Sequence, residues 1–294
     1  MPDNPLHVVD VFAQEKYAGN QLAVVHEAAT LSDEGMQKIT RETNFSEATF
    51  IESTAEDGGY DVRIFDPAEE IPFAGHPTLG TAFVIREFVR DDRPDELTLN
   101  LGVGRVPVHV ERDEDGNELY WMRQIPPTFD RTFDRSLAAR ILGLDEADID
   151  DNYPVQLVST GLPTLVVPLR SLDTVERART NREPYYEELI DPHGNLNVLL
   201  FAPETEDEND LHARVFADCA GVPEDPATGS SNGCLAAYLV ANGFFDSDEI
   251  NVRVEQGYEM GRPSLLHLRA TKGEDGIEVE VGGRVIPIAE GNLL

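Results

Sequence analysis

The chain carries two patterns that each occur twice, in the same order. "GNQLAVV" at 19–25 returns in shape as "GLPTLVV" at 161–167, and "HPTLGTA" at 76–82 returns as "DPATGSS" at 225–231. The offsets, 142 and 149 residues, nearly agree. Two copies of one supersecondary plan, separated by small insertions, produce such spacing. A chain of 294 residues has room for two lobes of ordinary size, and an apolar fraction of 40% supports a core.

The strand and helix signals recur in the same order. "HVVDVFA" (7–13), "QLAVVHE" (21–27), "ATFIES" (48–53) and "YDVRIF" (60–65) read as short strands bounded by turn residues. "LSDEGMQKITRET" (31–43) reads as a helix capped by Ser32, with Met36, Ile39 and Thr40 facing inward. A second helix is expected from about Pro77 to Val89, followed by strands at 96–101, 105–112 and 118–123. The second half gives a helix at 135–144, strands at 155–160 and 164–169, helical residues within 171–190, two more strands, and a helix over "GCLAAYLVA" (233–241). Strand-like runs follow at 250–256, 264–271 and 277–283. Turn residues concentrate near 112–130. The expected lobes are therefore 1–118 and 119–283, with 284–294 returning to the first.

Charge excludes several classes of function. There are 56 acidic residues against 23 basic ones, a formal net charge of −33, and only Lys16, Lys38 and Lys272 are lysines. The acids are spread along the chain rather than gathered in a tail, which describes a coated surface. A phosphate backbone needs a basic face, so no nucleic acid is expected as a partner. The longest apolar runs are too short to cross a bilayer, and the first residues carry no basic-then-apolar signal, so a cytoplasmic protein with no membrane partner is expected. Two cysteines, Cys219 and Cys234, make neither a disulfide framework nor a zinc spacing. The histidines outside the motifs are scattered, so no metal is expected.

Asp225-Pro226 and His76-Pro77 are good helix-start chemistry in their own right, since Asp caps and Pro is favoured in a first turn. The repeat suggests more. If an approximate two-fold axis relates the halves, both helix N-termini face one cleft. Their unpaired N–H groups and partial positive charge would hold a small carboxylate. The Gly75-His76 and Gly229-Ser230 segments would let the backbone approach it. His76 and Asp225 would then flank the bound molecule, an arrangement suited to proton transfer.

"VDVFAQEKYAGNQLAVV", "RETNFSEATFI", "RIFDPAEEIPFAGHPTLGTA" and "GVPEDPATGSSNGCLAAYL" resemble the PhzF family, in register from residue 7 to about residue 287. The resemblance implies a diaminopimelate-epimerase-like α+β fold. It has two similar domains, each a curved, barrel-like sheet around a central helix, with the site between them. It implies a homodimer that needs no cofactor. Carried over by residue, the catalytic glutamate falls on Glu47, the active-site histidine on His76, the aspartate on Asp225 and the serine near the substrate carboxylate on Ser230. The function implied is a proton-shuttling isomerase acting on a small unsaturated or cyclic carboxylate.

Two other readings stay open at this point. A cofactor-independent racemase or epimerase of the same fold would use two cysteines at the helix starts, where this chain has His76 and Asp225. A non-catalytic protein that binds a small carboxylate would need only the helix ends.

The acid coat resembles that of proteins from salt-loving organisms. At 1 M salt the Debye length is about 3 Å, which screens self-repulsion. The melting temperature is therefore expected to fall as salt is withdrawn, and a melting temperature indifferent to salt would contradict that reading.

Overall fold

The computed structural model describes residues 4–55 and 58–294. It divides into two compact units, Met1–Arg123 with Gly282–Leu294, and Gln124–Val281. Both are α+β, built mostly of strands with one buried helix each.

The first unit contains strands β1 (Asn4–Val11), β2 (Asn20–Val25), β3 (Glu47–Thr54), β4 (Tyr60–Phe65), β5 (Glu70–Ile71), β6 (Glu96–Leu101), β7 (Gly104–Arg112) and β8 (Glu118–Arg123). The β2–β3 pair is parallel, so the chain must cross over between them, and helix α1 (Asp33–Thr43) makes that crossing. Ser32 caps α1 by accepting from the Gly35 N–H at 3.1 Å, and Asp33 and Glu34 occupy its first turn. Asn44 closes it in the left-handed region (φ 56°) and turns the chain into β3. The segment Val285–Leu293 pairs antiparallel with β1.

Helix α2 (Gly75–Val84) lies inside this sheet. It touches β1, β2, β3, β6, β7, β8 and the Val285–Leu293 strand. All ten of its residues are buried. "GHPTLGTAFV" carries no Asp, Glu, Lys or Arg, and such a helix is stable only when it is surrounded. Gly80 lets it come close. A Cβ there would sit 2.6 Å from Leu22 Cδ2, 2.9 Å from Val11 Cγ2 and 3.2 Å from Val9 Cγ2. The helix begins two residues before the expected Pro77. That proline lies in the first turn, where its missing N–H is an orphan in any case. It ends earlier too, becoming a π-helix over Ile85–Val89. There the buried Arg86 guanidinium is held by Glu118 (2.8 Å), Asp95 (2.9 Å), Glu87 (2.9 Å) and the Pro94 carbonyl (2.9 Å).

The second unit contains β9 (Thr128–Phe133), α3 (Arg135–Leu142), β10 (Val155–Ser159), β11 (Pro163–Pro168), β12 (Asn197–Ala202), β13 (Leu211–Ala217), β14 (Val222–Asp225), α4 (Gly229–Ala241), β15 (Glu249–Gln256) and β16 (Ser264–Gly273). Short helical turns between 172 and 193 carry the β11–β12 crossover. Ile141, Val155, Leu165, Val198 and Leu200 form part of one buried cluster. Helix α4 is buried from Gly229 to Val240 and touches β10, β11, β12, β15 and β16.

The two units repeat one pairing plan. In the first, β1–β2 is antiparallel, β2–β3 parallel, β3–β4 antiparallel, β4–β6 parallel and β6–β7 antiparallel. In the second, β10–β11, β11–β12, β12–β13, β13–β15 and β15–β16 follow the same alternation. The short strands β5 and β14 each pair antiparallel with the preceding long strand and lead into the central helix.

Gly80 tests how tightly α2 is packed. Gly80→Val drives a branched side chain into Leu22, Val11 and Val9, and is expected to destabilise the protein by about 1–3 kcal/mol. Denaturant unfolding would measure it, and an unchanged midpoint would show that the helix can move away.

Candidate active site

In the first unit the fold brings Glu47 and His76 together. Glu47 is the first residue of β3 and lies opposite Leu22 of β2. His76 is the second residue of α2, next to Gly75, which opens the helix. His76 Nε2 lies 3.3 Å from Glu47 Oε2; the histidine side chain is 4% exposed and the glutamate side chain 18%. Asn20, at the start of β2, places its side-chain amide nitrogen 3.2 Å from His76 Nδ1.

Burial decides the charge of the histidine. Desolvation lowers the His76 pKa to about 3, against a smaller opposing effect of a hydrogen bond with the Gln21 backbone. The imidazole is therefore neutral at ordinary pH. Helix α2 also opens without a side-chain cap, its N-cap being Ala74. Its first N–H groups keep no side-chain partner of that kind.

In the second unit Asp225 ends β14, opposite Val215 of β13, and is 8% exposed. The Thr228 hydroxyl donates to Asp225 Oδ2 at 2.5 Å. Thr228 is the N-cap residue of α4 but makes no side-chain cap, because its hydroxyl is turned to the aspartate. Gly229 opens the helix and Ser230 follows it, buried, with its carbonyl accepting from Thr160 Oγ1 at 3.3 Å.

The pairing registers revise the match drawn from letters. Gly75 and Gly229 each open a central helix, so His76 corresponds to Ser230, and Asp225 lies upstream, at a strand end. "DPATGSS" and "HPTLGTA" are alike in string but displaced in structure. Glu47 also has a counterpart. It pairs with Leu22 as Asn197, the first residue of β12, pairs with Thr164. Asn197 Nδ2 donates to Ser231 Oγ at 3.1 Å, and Thr164 Oγ1 lies 3.1 Å from the same oxygen. Where the first unit holds a carboxylate and an imidazole, the second holds an amide and two hydroxyls.

The thiols stand apart from this chemistry. Cys234 is fully buried beside Thr160 Oγ1 (3.6 Å) and the Leu162 carbonyl (3.6 Å), and burial pushes its thiol pKa up. Cys219 Sγ donates to the Leu196 carbonyl at 3.4 Å. The Cys234 environment does not favour a thiolate. Among the described residues, no group of three or more His, Cys, Asp or Glu side chains is arranged to hold a metal, and no helix is long and apolar enough to cross a membrane.

Sequence reasoning did not single out Asn20, Thr228, Asn197 or Gln256. Asn20 and Thr228 stand inside motifs already noted, as polar residues in buried surroundings. Asn197 and Gln256 become visible only through strand register and the approach of β15 to the Asp225 loop.

Comparison with known proteins bears on the family and the fold. The family model described as "Phenazine biosynthesis-like protein" matches residues 9–291. The trans-2,3-dihydro-3-hydroxyanthranilate isomerase of Pseudomonas aeruginosa is 35% identical, over 97% of this chain and 97% of its own. An uncharacterized isomerase of Clostridium acetobutylicum is 31% identical, over 98% of this chain and 97% of its own. The crystal structure of a PhzF-family phenazine biosynthesis protein from Bacillus anthracis superposes with a TM-score of 0.91 at 29% identity, covering 100% of both chains. A probable proline racemase from Agrobacterium radiobacter shares the fold alone, at a TM-score of 0.63 and 12% identity over 99% of this chain and 93% of its own. The chain belongs to the phenazine biosynthesis-like, or PhzF, family and is an isomerase.

Proposed function

We propose that this isomerase works without a cofactor and moves a proton between carbons of a small unsaturated or cyclic carboxylate, with Glu47 as the shuttle. The observation that carries this reading is the 3.3 Å approach of Glu47 to a buried, neutral His76. A neutral ring does not lock the carboxylate into a salt bridge, so Glu47 stays able to take up and release a proton.

In the reaction, the Glu47 carboxylate removes a C–H proton next to the unsaturated system. The C–H electron pair enters the conjugated system, and the double bond shifts. Protonated Glu47, whose carboxyl proton exchanges with solvent, then gives a proton to a carbon further along, so the substrate is neither oxidised nor reduced. His76 orients Glu47. Asp225, Gly229 and Ser230 of the second unit are assigned to substrate handling, as the family resemblance implies. The uncapped N–H groups at Gly75 and Gly229 suit a carboxylate.

The register counterpart of Glu47 supports a single-carboxylate shuttle. Asn197 does not titrate, so the repeat does not supply a second glutamate in the mirrored place. A racemase that uses a symmetric pair of thiols finds no counterpart either, since Cys234 sits deep in α4 with its thiol held protonated.

The name of the Pseudomonas aeruginosa relative supplies the first candidate substrate, trans-2,3-dihydro-3-hydroxyanthranilate. With it, Glu47→Gln is expected to lower turnover by about 10²–10⁴-fold while the far-ultraviolet spectrum stays native. Undiminished turnover would remove Glu47 from the mechanism. The substrate class is tested separately, by following deuterium from solvent into a panel of unsaturated and cyclic carboxylates.

Burial of a neutral His76 also predicts acid sensitivity. Unfolded, the ring titrates near 6.5; folded, near 3. Between those values the unfolded chain holds a proton that the folded chain does not, so stability falls as pH falls through that window. The contribution approaches about 1.4 kcal/mol per pH unit. The stability difference between the wild type and His76→Asn should therefore narrow from pH 7 to pH 4.5 in denaturant unfolding. A constant difference would mean that the ring titrates alike in the folded and unfolded chains.

A further inference from the structure

We propose that Gln256 and Thr228 form a positioning relay that fixes the Asp225 carboxyl in one orientation and directs a hydrogen bond to its ionised form. The functional consequence rests on the role assigned above to Asp225. The relay itself rests on local geometry in the second unit.

A threonine hydroxyl has one proton to give. Thr228 gives it to Asp225 Oδ2 at 2.5 Å. Gln256 Nε2 lies 3.2 Å from the same hydroxyl oxygen and donates to it. With its acceptor side engaged, the hydroxyl cannot turn its proton toward Gln256, and the proton is aimed at the aspartate. Donation from the amide also polarises the O–H bond and strengthens what Thr228 offers.

The amide that does this is itself held on both ends. Gln256 is fully buried as the last residue of β15. Its Oε1 accepts from Asn232 Nδ2 at 2.8 Å and from the Thr228 N–H at 3.3 Å. Its Nε2 also donates to the Asp225 carbonyl at 2.7 Å. A flipped amide would place donor against donor at Asn232 and at the Thr228 N–H, so the network admits one orientation. Gly257 then holds the strand end against the loop. Its φ is +82°, and a Cβ there would meet the Pro226 carbonyl oxygen at 2.5 Å. The relay therefore gathers the strand end, the Asp225 loop and the first turns of α4 around one buried side chain.

The charged groups on the surrounding strands are engaged with one another. Arg214 of β13 holds Glu224 of β14 through two hydrogen bonds, at 2.7 and 2.8 Å. His212 of β13 lies between Glu255 (2.9 Å) and Glu259 (3.2 Å). Glu255 also accepts from the Glu206 and Asp207 N–H groups. A hydrogen bond to the ionised form makes a carboxyl more acidic. Removing the relay should make Asp225 less so.

The test is a titration of the Asp225 carboxyl by carbon-13 NMR on aspartate-labelled full-length protein, with Asp225→Asn identifying the resonance. Thr228→Val is expected to weaken the acid about tenfold, raising its midpoint by about one pH unit. Gln256→Met should shift it in the same direction by less, and Thr228→Ser should restore the wild-type midpoint. Wild-type midpoints in folded Thr228→Val and Gln256→Met would overturn the proposal. If Gln256→Met does not fold, Thr228→Val decides, since it removes one hydroxyl at constant shape. Turnover of Asp225→Asn is read separately. Full activity there would end the catalytic reading of Asp225 and leave the relay standing.

Discussion

Everything at the site depends on burying α2 from end to end. A helix without charged residues has no face to offer water, so strands must close around it. Closure places the second residue of the helix, His76, in a medium that cannot support its charge. The neutral imidazole beside Glu47 is thus a product of packing. Gly80 sets how near α2 comes to β1 and β2, and so how near His76 comes to the start of β3.

The same plan in the second unit has been used differently. Its central helix is as buried and its strands alternate in the same order. Yet the place of Glu47 is taken by Asn197, and the place of His76 by Ser230. Asn197, Thr164 and Ser231 satisfy one another and carry no charge. The acidic group of this unit stands outside the helix instead, on a strand end braced by Thr228 and Gln256. One scaffold thus recurs with different side chains at its matched positions.

Much of this was legible in the sequence, for identifiable reasons. His76, Asp225 and Ser230 stand in motifs whose small residues and prolines mark loop-to-helix junctions, whereas Glu47, at a helix-to-strand turn, was marked only by the family resemblance. Helix α1 announced itself through Ser32, its acids and its periodic apolar residues. Strand β9 did not. "TFDRTF" is almost wholly exposed and holds its shape by pairing with β10, so no apolar alternation marks it. The displacement between His76 and Asp225 was hidden too, because matching letters cannot see that one motif begins inside a helix and the other on a strand. Gln256 and Asn197 owe their places to long-range register, which a local window does not contain. The acid coat was legible as charge but not as structure. Arg63, for example, gathers Asp33 and Glu70 from two different elements.

The strand Val285–Leu293 has a consequence for how the molecule is made. It pairs along the whole length of β1, from Asn4 opposite Leu293 to Val11 opposite Val285. The sheet that encloses α2 is therefore completed by residues that leave the ribosome after the whole second unit has emerged. During synthesis β1 must wait with one edge open, an exposure that invites wrong partners until the tail arrives.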